Sequence, residues 1–351
     1  MIKRVKAWFT PHGVFLPSGT ARYLKLIVIA AAIIGIIPIF TQSTYLLTLL
    51  SYIMIYSMLA LSIDLLSGFM GLGSLGHAGF FGAAAYCCGY LNSKLHWGFL
   101  PCVLATMAFV ILLAMLFGLL TSRTWGVTFM MVNLALSQII LGLAVKLTDI
   151  TGGDNGMVGI TRPTFLGIDL SNDIIFYYFL FAVFALMFFL VYRLVNSPFG
   201  MGIQGVRQSP KRMKALGVDV LKYKFITFVI SGTLAGIAGM MFCFFNCFVS
   251  PPNINTQASS KAFLMSLVGG KGTLGGSIIG AGIVVILENF ISAYTARWQM
   301  ALGILYVLTV TLSPNGIIGI YRKIRERIKS KRDFQNQQIL SVNKNEEKEK
   351  R

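Results

Sequence analysis

Continuous apolar runs, separated by short polar loops, occupy most of this sequence. Most of the runs approach the roughly 20 residues that an α-helix needs to cross a hydrocarbon layer of about 30 Å. They lack the alternation of barrel strands, and a helix satisfies its own backbone in lipid, so helical spans are predicted. The pattern predicts an all-α, polytopic integral membrane protein with about ten transmembrane helices, at residues 24–40, 45–66, 71–91, 99–120, 125–145, 174–194, 225–245, 258–269, 277–293 and 300–312.

One of these runs, residues 258–269, is shorter than the others and leads into a glycine-rich stretch at residues 269–276. Irregular backbone at membrane depth is tolerated only where protein or a water-filled cavity covers it. We therefore expect this run to form a broken or re-entrant helix.

Basic residues cluster in three places: the amino terminus, the loop at residues 196–224 and the carboxyl-terminal tail. Lys and Arg are enriched on the cytoplasmic side of membrane proteins, and ten spans place all three clusters there, so both termini are predicted to be cytoplasmic. The first run is expected to be a retained span, since no signal-peptide cleavage site follows it. The chain divides into a basic cytoplasmic segment at 1–23, a transmembrane domain at 24–320 and a basic to polar tail at 321–351 that is expected to be disordered.

The composition agrees with a membrane protein and excludes several other classes. Of 351 residues, 56% are hydrophobic and only 12% are charged, about half the charged fraction of soluble domains. The formal net charge of +18 does not indicate nucleic-acid binding, because no aromatic residues alternate with the basic clusters on a continuous face. The five cysteines lie in or beside apolar runs without metal-type spacing, so neither a metal site nor a bound cofactor is predicted.

Glycine-rich motifs in this chain do not indicate nucleotide binding. Residues 71–76 match G-x-G-x-x-G, but the dinucleotide motif requires a preceding strand and a βαβ unit, and both neighbours here are predicted spans. No G-x-x-x-x-G-K-[ST] sequence occurs, so any ATP coupling must come from a partner. Glycines four residues apart, as at Gly232 and Gly236 and at Gly276 and Gly280, instead predict close helix packing.

Polar residues within the apolar runs are candidates for function because they are costly to bury in lipid. Each either bonds to a neighbouring helix or lines a transport pathway, and the sequence leaves both roles open. No second catalytic group accompanies them in a recognisable arrangement, so an intramembrane hydrolase is not predicted. The residues concerned are Asp64, His77, Asn133, Gln138 and Glu288.

The internal basic loop contains a segment with the sequence of a complete two-turn helix. Ser209 is a favourable N-cap, Pro210 suits the first turn and Gly217 suits a left-handed end. Met213 and Leu216, three residues apart, are expected to give this helix one small apolar face. The helix either lies on anionic lipid headgroups or docks into a soluble cytoplasmic partner.

The sequence LLSGFMGLGSLGHAGFFGAAAY at residues 65–86 resembles a signature of the permeases of branched-chain amino acid importers, specifically the second of their two permease subunits. Asp64, just before it, stands where the family usually has Asn. Residues 208–210 likewise stand where the family has a more acidic stretch before its coupling helix. Further similarities follow in the family's order at residues 151–160, 196–200, 214–239, 267–281 and 313–319.

The resemblance implies a non-catalytic, multi-pass subunit of an ATP-binding-cassette importer in the bilayer of the bacterial inner membrane. The implied partners are a second, non-identical permease subunit, two cytoplasmic ATPase subunits and an extracytoplasmic solute-binding protein. The resemblance also assigns the two-turn helix as the coupling loop to an ATPase, formed by Ser209, Pro210, Lys211, Arg212, Met213, Lys214, Ala215, Leu216 and Gly217.

A substrate path is expected at the interface with the second permease, because small residues leave backbone exposed to a cavity. Packing of helices within this chain is the alternative role for the same residues. The candidates for the path are Asp64, Ser74, Gly76, His77, Gly79, Gly270, Gly272, Thr273 and Gly275.

Branched-chain amino acids are the expected substrates of such a permease. A related importer of urea or short amides is the alternative, because the binding protein largely selects the solute in these systems. A secondary transporter driven by an ion gradient would predict inverted repeats and paired intramembrane charges, and neither is evident in the sequence.

Overall fold

The computed structural model describes residues 44–162, 164–165, 168–295, 297–312 and 316. The predicted span at residues 24–40 lies outside the described residues. The amino-terminal segment and the carboxyl-terminal tail lie outside them as well.

Helices form nearly all of the regular structure in the described ranges. They are α1 (Thr44–Asp64), α2 (His77–Ser93), α3 (Phe99–Thr121), α4 (Gly126–Lys146), α5 (Thr148–Thr151), α6 (Asp173–Val195), α7 (Pro198–Gln208), α8 (Pro210–Ala215), α9 (Val220–Asn246), α10 (Thr256–Gly269), α11 (Leu274–Tyr294) and α12 (Trp298–Leu312). A π-helical turn, Leu65–Phe69, extends α1. Two short antiparallel strands, β1 (Thr164–Phe165) and β2 (Ile168–Asp169), form a small hairpin before α6. The predicted all-helical class is confirmed.

Six helices are long and apolar enough to cross a membrane: α1 with its π-turn, α3, α4, α6, α9 and α11. Helices α2, α10 and α12 contain 17, 14 and 15 residues and lie at three further predicted runs. The structure is therefore that of a multi-pass helical membrane protein.

The glycine-rich stretch interrupts the helical path between α10 and α11. Helix α10 has 14 residues, about 21 Å at 1.5 Å per residue, which is shorter than a hydrocarbon core. The following turn at residues 270–273 is non-helical, and its Gly270 and Gly272 have φ values of 120° and 76°, which favour glycine. Gly270 and Gly272 are buried in this turn, whereas Lys271 and Thr273 are partly exposed.

Two helices begin five or more residues away from the predicted starts of their runs. The run at residues 71–91 was expected to be helical from its start, but α2 begins at His77 because Gly71 has a φ of 80° and the chain is non-helical up to residue 76. Helix α9 begins five residues earlier than expected, because the Asp219 side chain accepts a hydrogen bond from the Lys222 amide at 3.2 Å. That hydrogen bond favours the carboxylate and lowers the pKa of Asp219 from its ordinary value.

Helices α1 and α9 lie at the centre of the bundle and are the most buried of the six long spans. Small residues allow their neighbours to approach closely. A Cβ on Gly236 of α9 would lie 2.6 Å from a Val110 methyl group of α3. Gly280 of α11 lies against the backbone carbonyl of Met265 in α10. The packing seams predicted from glycine spacing are confirmed at both places.

Candidate coupling and translocation site

The basic helix α8 begins as its sequence predicts. The Ser209 hydroxyl oxygen accepts a hydrogen bond from the Arg212 amide at 3.4 Å, which makes Ser209 the N-cap. Pro210 occupies the first helical position, where no amide hydrogen is needed.

The end of α8 is a complete left-handed cap. Gly217 has a φ of 82°. Its amide donates to the Lys214 carbonyl at 3.0 Å, and the Val218 amide donates to the Met213 carbonyl at 3.1 Å. These are the two hydrogen bonds of a Schellman motif, so the predicted helix end is confirmed.

Met213 of α8 and Leu216, the residue that follows the helix, lie in different environments. Met213 packs inward, since a Cβ on Gly205 of α7 would lie 2.7 Å from the Met213 sulfur. Leu216 is 74% exposed. The structure thus differs from the predicted shared face: Met213 packs α8 against α7, whereas Leu216 is exposed.

Arg207, near the end of α7, connects this region to the transmembrane helices. Its guanidinium donates a hydrogen bond to the carbonyl of Gly68 in the π-turn. A Cβ on Gly71 would lie 2.9 Å from Arg207 Cγ, and a Cβ on Gly272 would lie 3.3 Å from Arg207 Nη1. Glycines therefore leave the space through which one arginine side chain reaches the ends of α1 and α10.

Asp64, the last residue of α1, is fully buried and holds the turn after α10. Its Oδ1 accepts hydrogen bonds from the Gly272 amide at 2.8 Å and from the Ser266 hydroxyl at 3.1 Å. Its Oδ2 has no hydrogen-bond partner among the described residues. The cations of Arg207 and Lys271 interact electrostatically with this carboxylate, which offsets part of the cost of burying it.

We call the meeting point of these groups the glycine junction, formed by Asp64, Gly68, Arg207 and Gly272. It joins three segments that are distant in the sequence: the π-turn after α1, the turn before α11 and the end of α7. Two candidate path residues, Asp64 and Gly272, are therefore in direct contact. The Arg207 side chain thus contacts both transmembrane segments.

His77 lies in a hydroxyl network inside the chain. Its Nε2 is 2.6 Å from Ser231 Oγ, and its Nδ1 is 3.1 Å from Ser74 Oγ. Because the Ser231 hydroxyl donates its hydrogen to the Ser62 carbonyl, it accepts from His77 Nε2. Both ring nitrogens are thus occupied by serines.

The neighbouring glycines of α2 pack against α4. A Cβ on Gly76 would lie 2.7 Å from the Asn133 carbonyl oxygen, and a Cβ on Gly79 would lie 3.0 Å from Ser137 Oγ. In the isolated chain, most candidate path residues are buried in this way. The partly exposed ones are Thr273 and Gly275, at the turn before α11.

The other polar residues singled out from the sequence also bond within the chain. Asn133 donates to the backbone of its own helix, and the Gln138 amide donates to Thr256 Oγ1 at 2.9 Å. Glu288 forms an ion pair with Lys261. Within the described ranges, no group of three or more His, Cys, Asp or Glu residues is placed to hold a metal ion.

The sequence interpretation missed Arg207 and Lys261 as individual residues. Arg207 was counted only as one charge of a cytoplasmic loop, and its glycine partners are too distant in sequence to give a local signal. Lys261 lies inside a short apolar run, and a lysine at that place is itself a signal, because intramembrane charges are rarely without a role.

Comparison with known proteins agrees with this architecture. Residues 45–312 match the family described as branched-chain amino acid transport system permease components. The chain is 26% identical over 328 residues to the high-affinity branched-chain amino acid transport system permease protein LivM of Escherichia coli K12, covering 87% of this chain and 77% of that protein. No solved structure matches.

Two proteins of Methanocaldococcus jannaschii are similar as well. A probable branched-chain amino acid transport permease protein LivH of Methanocaldococcus jannaschii is 27% identical over 215 residues, covering 57% of this chain and 67% of that protein. A probable LivM of the same organism is 30% identical over 181 residues, covering 49% and 50% of the two chains. Because the family match covers residues 45–312, well over half of the sequence, the chain belongs to the family of branched-chain amino acid transport system permease components.

Proposed function

We propose that this chain is one of two non-identical membrane-spanning subunits of an ATP-driven importer of branched-chain amino acids. The match of residues 45–312 to the permease family carries the proposal. Its relatives include proteins named LivM and proteins named LivH, which supports a pair of different permeases. The chain itself is non-catalytic, and the partner ATPase subunits hydrolyse ATP.

The proposed topology has ten spans and both termini in the cytoplasm of a bacterium, with the protein in the inner membrane. Helices at nine of the predicted runs, within the described part of the chain, support this arrangement. Helices α7 and α8 then lie on the cytoplasmic side, because Lys and Arg are enriched there. The opposite ends of the spans face the extracytoplasmic binding protein that delivers the solute.

Helix α8 is the proposed docking element for an ATPase subunit. The helix is capped at both ends, so it is formed before any partner binds, and the Leu216 side chain at its end is exposed. Because Met213 packs on Gly205, a movement of α8 carries α7 with it. Arg207 then transmits the movement to the glycine junction, where packed segments can switch between two arrangements.

The docking role predicts the effect of two substitutions in α8. Leu216→Asp should abolish the apolar contact with the ATPase, and Gly217→Val should strain the left-handed cap by roughly 1–2 kcal/mol. Both variants should reach the membrane, while ATPase binding and leucine uptake fall. Leu95→Asp is the matched control, since Leu95 is 46% exposed in the connection between α2 and α3. Normal ATPase binding by both α8 variants would place the docking site elsewhere.

The proposed substrate path passes the turn before α11, at the interface with the second permease. Thr273 is partly exposed in the isolated chain, whereas Ser74 is buried. In a background without the five native cysteines, Thr273→Cys should react with a water-soluble thiol reagent at a rate that changes with ATP and leucine. Ser74→Cys should react more slowly. A Thr273→Cys thiol that is inaccessible in every state would assign this turn to helix packing.

The experiment that tests the proposed function is purification of the chain from its native membrane, followed by identification of the proteins that accompany it. Two ATPase subunits and a second permease are expected. A chain that purifies alone or as a homo-oligomer, and that catalyses uptake in that form, contradicts the proposal.

A further inference from the structure

An ion pair joins the two helices that flank the glycine-rich turn. Lys261 of α10 lies against Glu288 of α11. Both side chains are partly accessible in the isolated chain, with 14% and 21% of their surfaces exposed. The pair plays no part in the glycine junction or in the contacts of α7 and α8.

The depth of this pair limits what can lie beside it. Lys261 is five residues from the first residue of α10, and Glu288 is six residues from the end of α11, so both lie about 8–9 Å inside their helices. An ion pair at that depth is costly to expose to lipid. We therefore expect the part of this pair that the chain leaves exposed to face another protein chain or water rather than lipid.

Aromatic rings form one wall of the same region. The Lys261 ammonium lies 4.2 Å from the centroid of the Tyr56 ring. Tyr56 stacks with Tyr52 at 6.3 Å and with Phe81 at 6.4 Å. The Tyr52 hydroxyl donates to Asn246 at 2.5 Å. An opposite pair of charges thus lies beside an apolar aromatic surface.

We propose that Lys261 and Glu288, with the Tyr56 ring, form a subsite for the zwitterionic head of an amino acid on its way through the permease pair. Lys261 takes the carboxylate, Glu288 takes the ammonium, and the apolar side chain lies against the aromatic wall. This inference rests on the proposed function. Along α10 the subsite lies about 13 Å before Gly270, so a substrate from the extracytoplasmic side meets it before the turn.

Charge complementarity distinguishes this subsite from a structural ion pair. A zwitterion brings one charge of each sign, so it can exchange with the existing pair without leaving either protein charge unpaired. A purely structural pair has no such requirement, and replacing both partners of a buried pair with apolar residues of similar size is often neutral or stabilising. The two roles therefore predict opposite results for a double substitution.

The first test compares Lys261→Met, Glu288→Met and the double variant in the reconstituted complex. We expect the double variant to assemble and to hydrolyse ATP, yet to take up leucine at least about tenfold more slowly, the consequence of losing roughly 1.4 kcal/mol of transition-state stabilisation. A double variant that transports leucine like the native complex, while each single variant fails, overturns the proposal and leaves a structural ion pair.

The second test detects the ligand directly. Gln257 is exposed one helical turn before Lys261, so Gln257→Cys in the cysteine-free background reports on access to the subsite. Leucine should slow its reaction with a thiol reagent, whereas leucinamide and 4-methylpentanoate, which each lack one of the two charges, should not. Val158→Cys, at an exposed loop position, is the control and should not respond to leucine.

Protection that persists in the double Met variant, protection by all three compounds, or no protection by leucine overturns the subsite. A Gln257→Cys thiol that never reacts has the same meaning, because the proposed subsite must be open to water. ATP-driven leucine uptake by the native complex is measured in parallel. If that uptake is present while protection fails, the subsite is wrong and the proposed function stands.

Discussion

Replacing Arg207 with glutamine should separate ATP hydrolysis from transport. The substitution removes the hydrogen bond from the guanidinium to the Gly68 carbonyl and vacates the place of Arg207 Nη1 beside Gly272, while the atoms beside Gly71 remain. A hydrogen bond from a charged group contributes about 1.5–3 kcal/mol, which corresponds to roughly a ten- to hundredfold change in an equilibrium between two packings. Helix α8 keeps its caps and its exposed Leu216, so ATPase binding should remain.

The measurement is leucine uptake per ATP hydrolysed in liposomes that contain the assembled complex. We expect this ratio to fall about tenfold or more for Arg207→Gln, with ATP hydrolysis within about twofold of the native rate. Arg123→Gln is the matched control, because Arg123 is exposed after α3 and its side chain makes no hydrogen bond or ion pair in the described part of the chain. An unchanged ratio for Arg207→Gln would remove this arginine from the coupling route.

The effect of substituting Asp64 on stability and leucine uptake should depend on whether an oxygen remains at the position of Oδ1. Asp64→Leu leaves the Gly272 amide and the Ser266 hydroxyl without their acceptor inside the protein, at about 1–3 kcal/mol for each unpaired group. Asp64→Asn keeps a carbonyl oxygen there and removes a buried charge. Because these two hydrogen bonds also hold the turn between α10 and α11, both the thermal stability and the leucine uptake of Asp64→Leu should fall.

Thermal unfolding in detergent and leucine uptake distinguish the two variants. Asp64→Leu should give a lower unfolding temperature, little assembled complex and almost no uptake. Asp64→Asn should retain an unfolding temperature and an uptake close to the native values. Equal loss in both variants would show that the negative charge is essential and that the two hydrogen bonds to Oδ1 are secondary.

Local patterns in the sequence predicted much of the fold. Apolar runs located the long spans, because each helix must match the hydrocarbon thickness by itself. The caps of α8 were also predictable, since Ser209 and Gly217 act on backbone groups only a few residues away. Glycine spacing correctly indicated the close approach of α11 to α10 at Gly280.

Features that depend on contacts between distant segments could not be predicted in the same way. The late start of α2 follows from a π-turn and a non-helical connection that the apolar run conceals. Arg207 and Gly68 are 139 residues apart, and only the folded chain brings them together. Met213 was expected on an exposed face, because the helical period alone does not show which side α7 covers.

The candidate path was predicted as a set of small and polar residues, and the structure divides that set. Asp64 and Gly272 meet at the glycine junction, whereas His77 bonds to two serines inside the bundle. Their shared role in a path stays a prediction. Only one member of the ion pair between Lys261 and Glu288 was predicted from the sequence, since Glu288 was singled out without its partner.

The central claim, that this chain transports its solute only with energy from partner ATPases, is tested most directly by uptake into liposomes that contain the complete complex. Radiolabelled leucine is supplied with its binding protein, and ATP is enclosed with the ATPase subunits. A matched preparation carries an ATPase whose P-loop lysine has been replaced. We expect ATP-dependent accumulation by the native complex and none by the matched preparation. Undiminished uptake with the altered ATPase, or uptake that follows a proton or sodium gradient without ATP, would contradict the central claim.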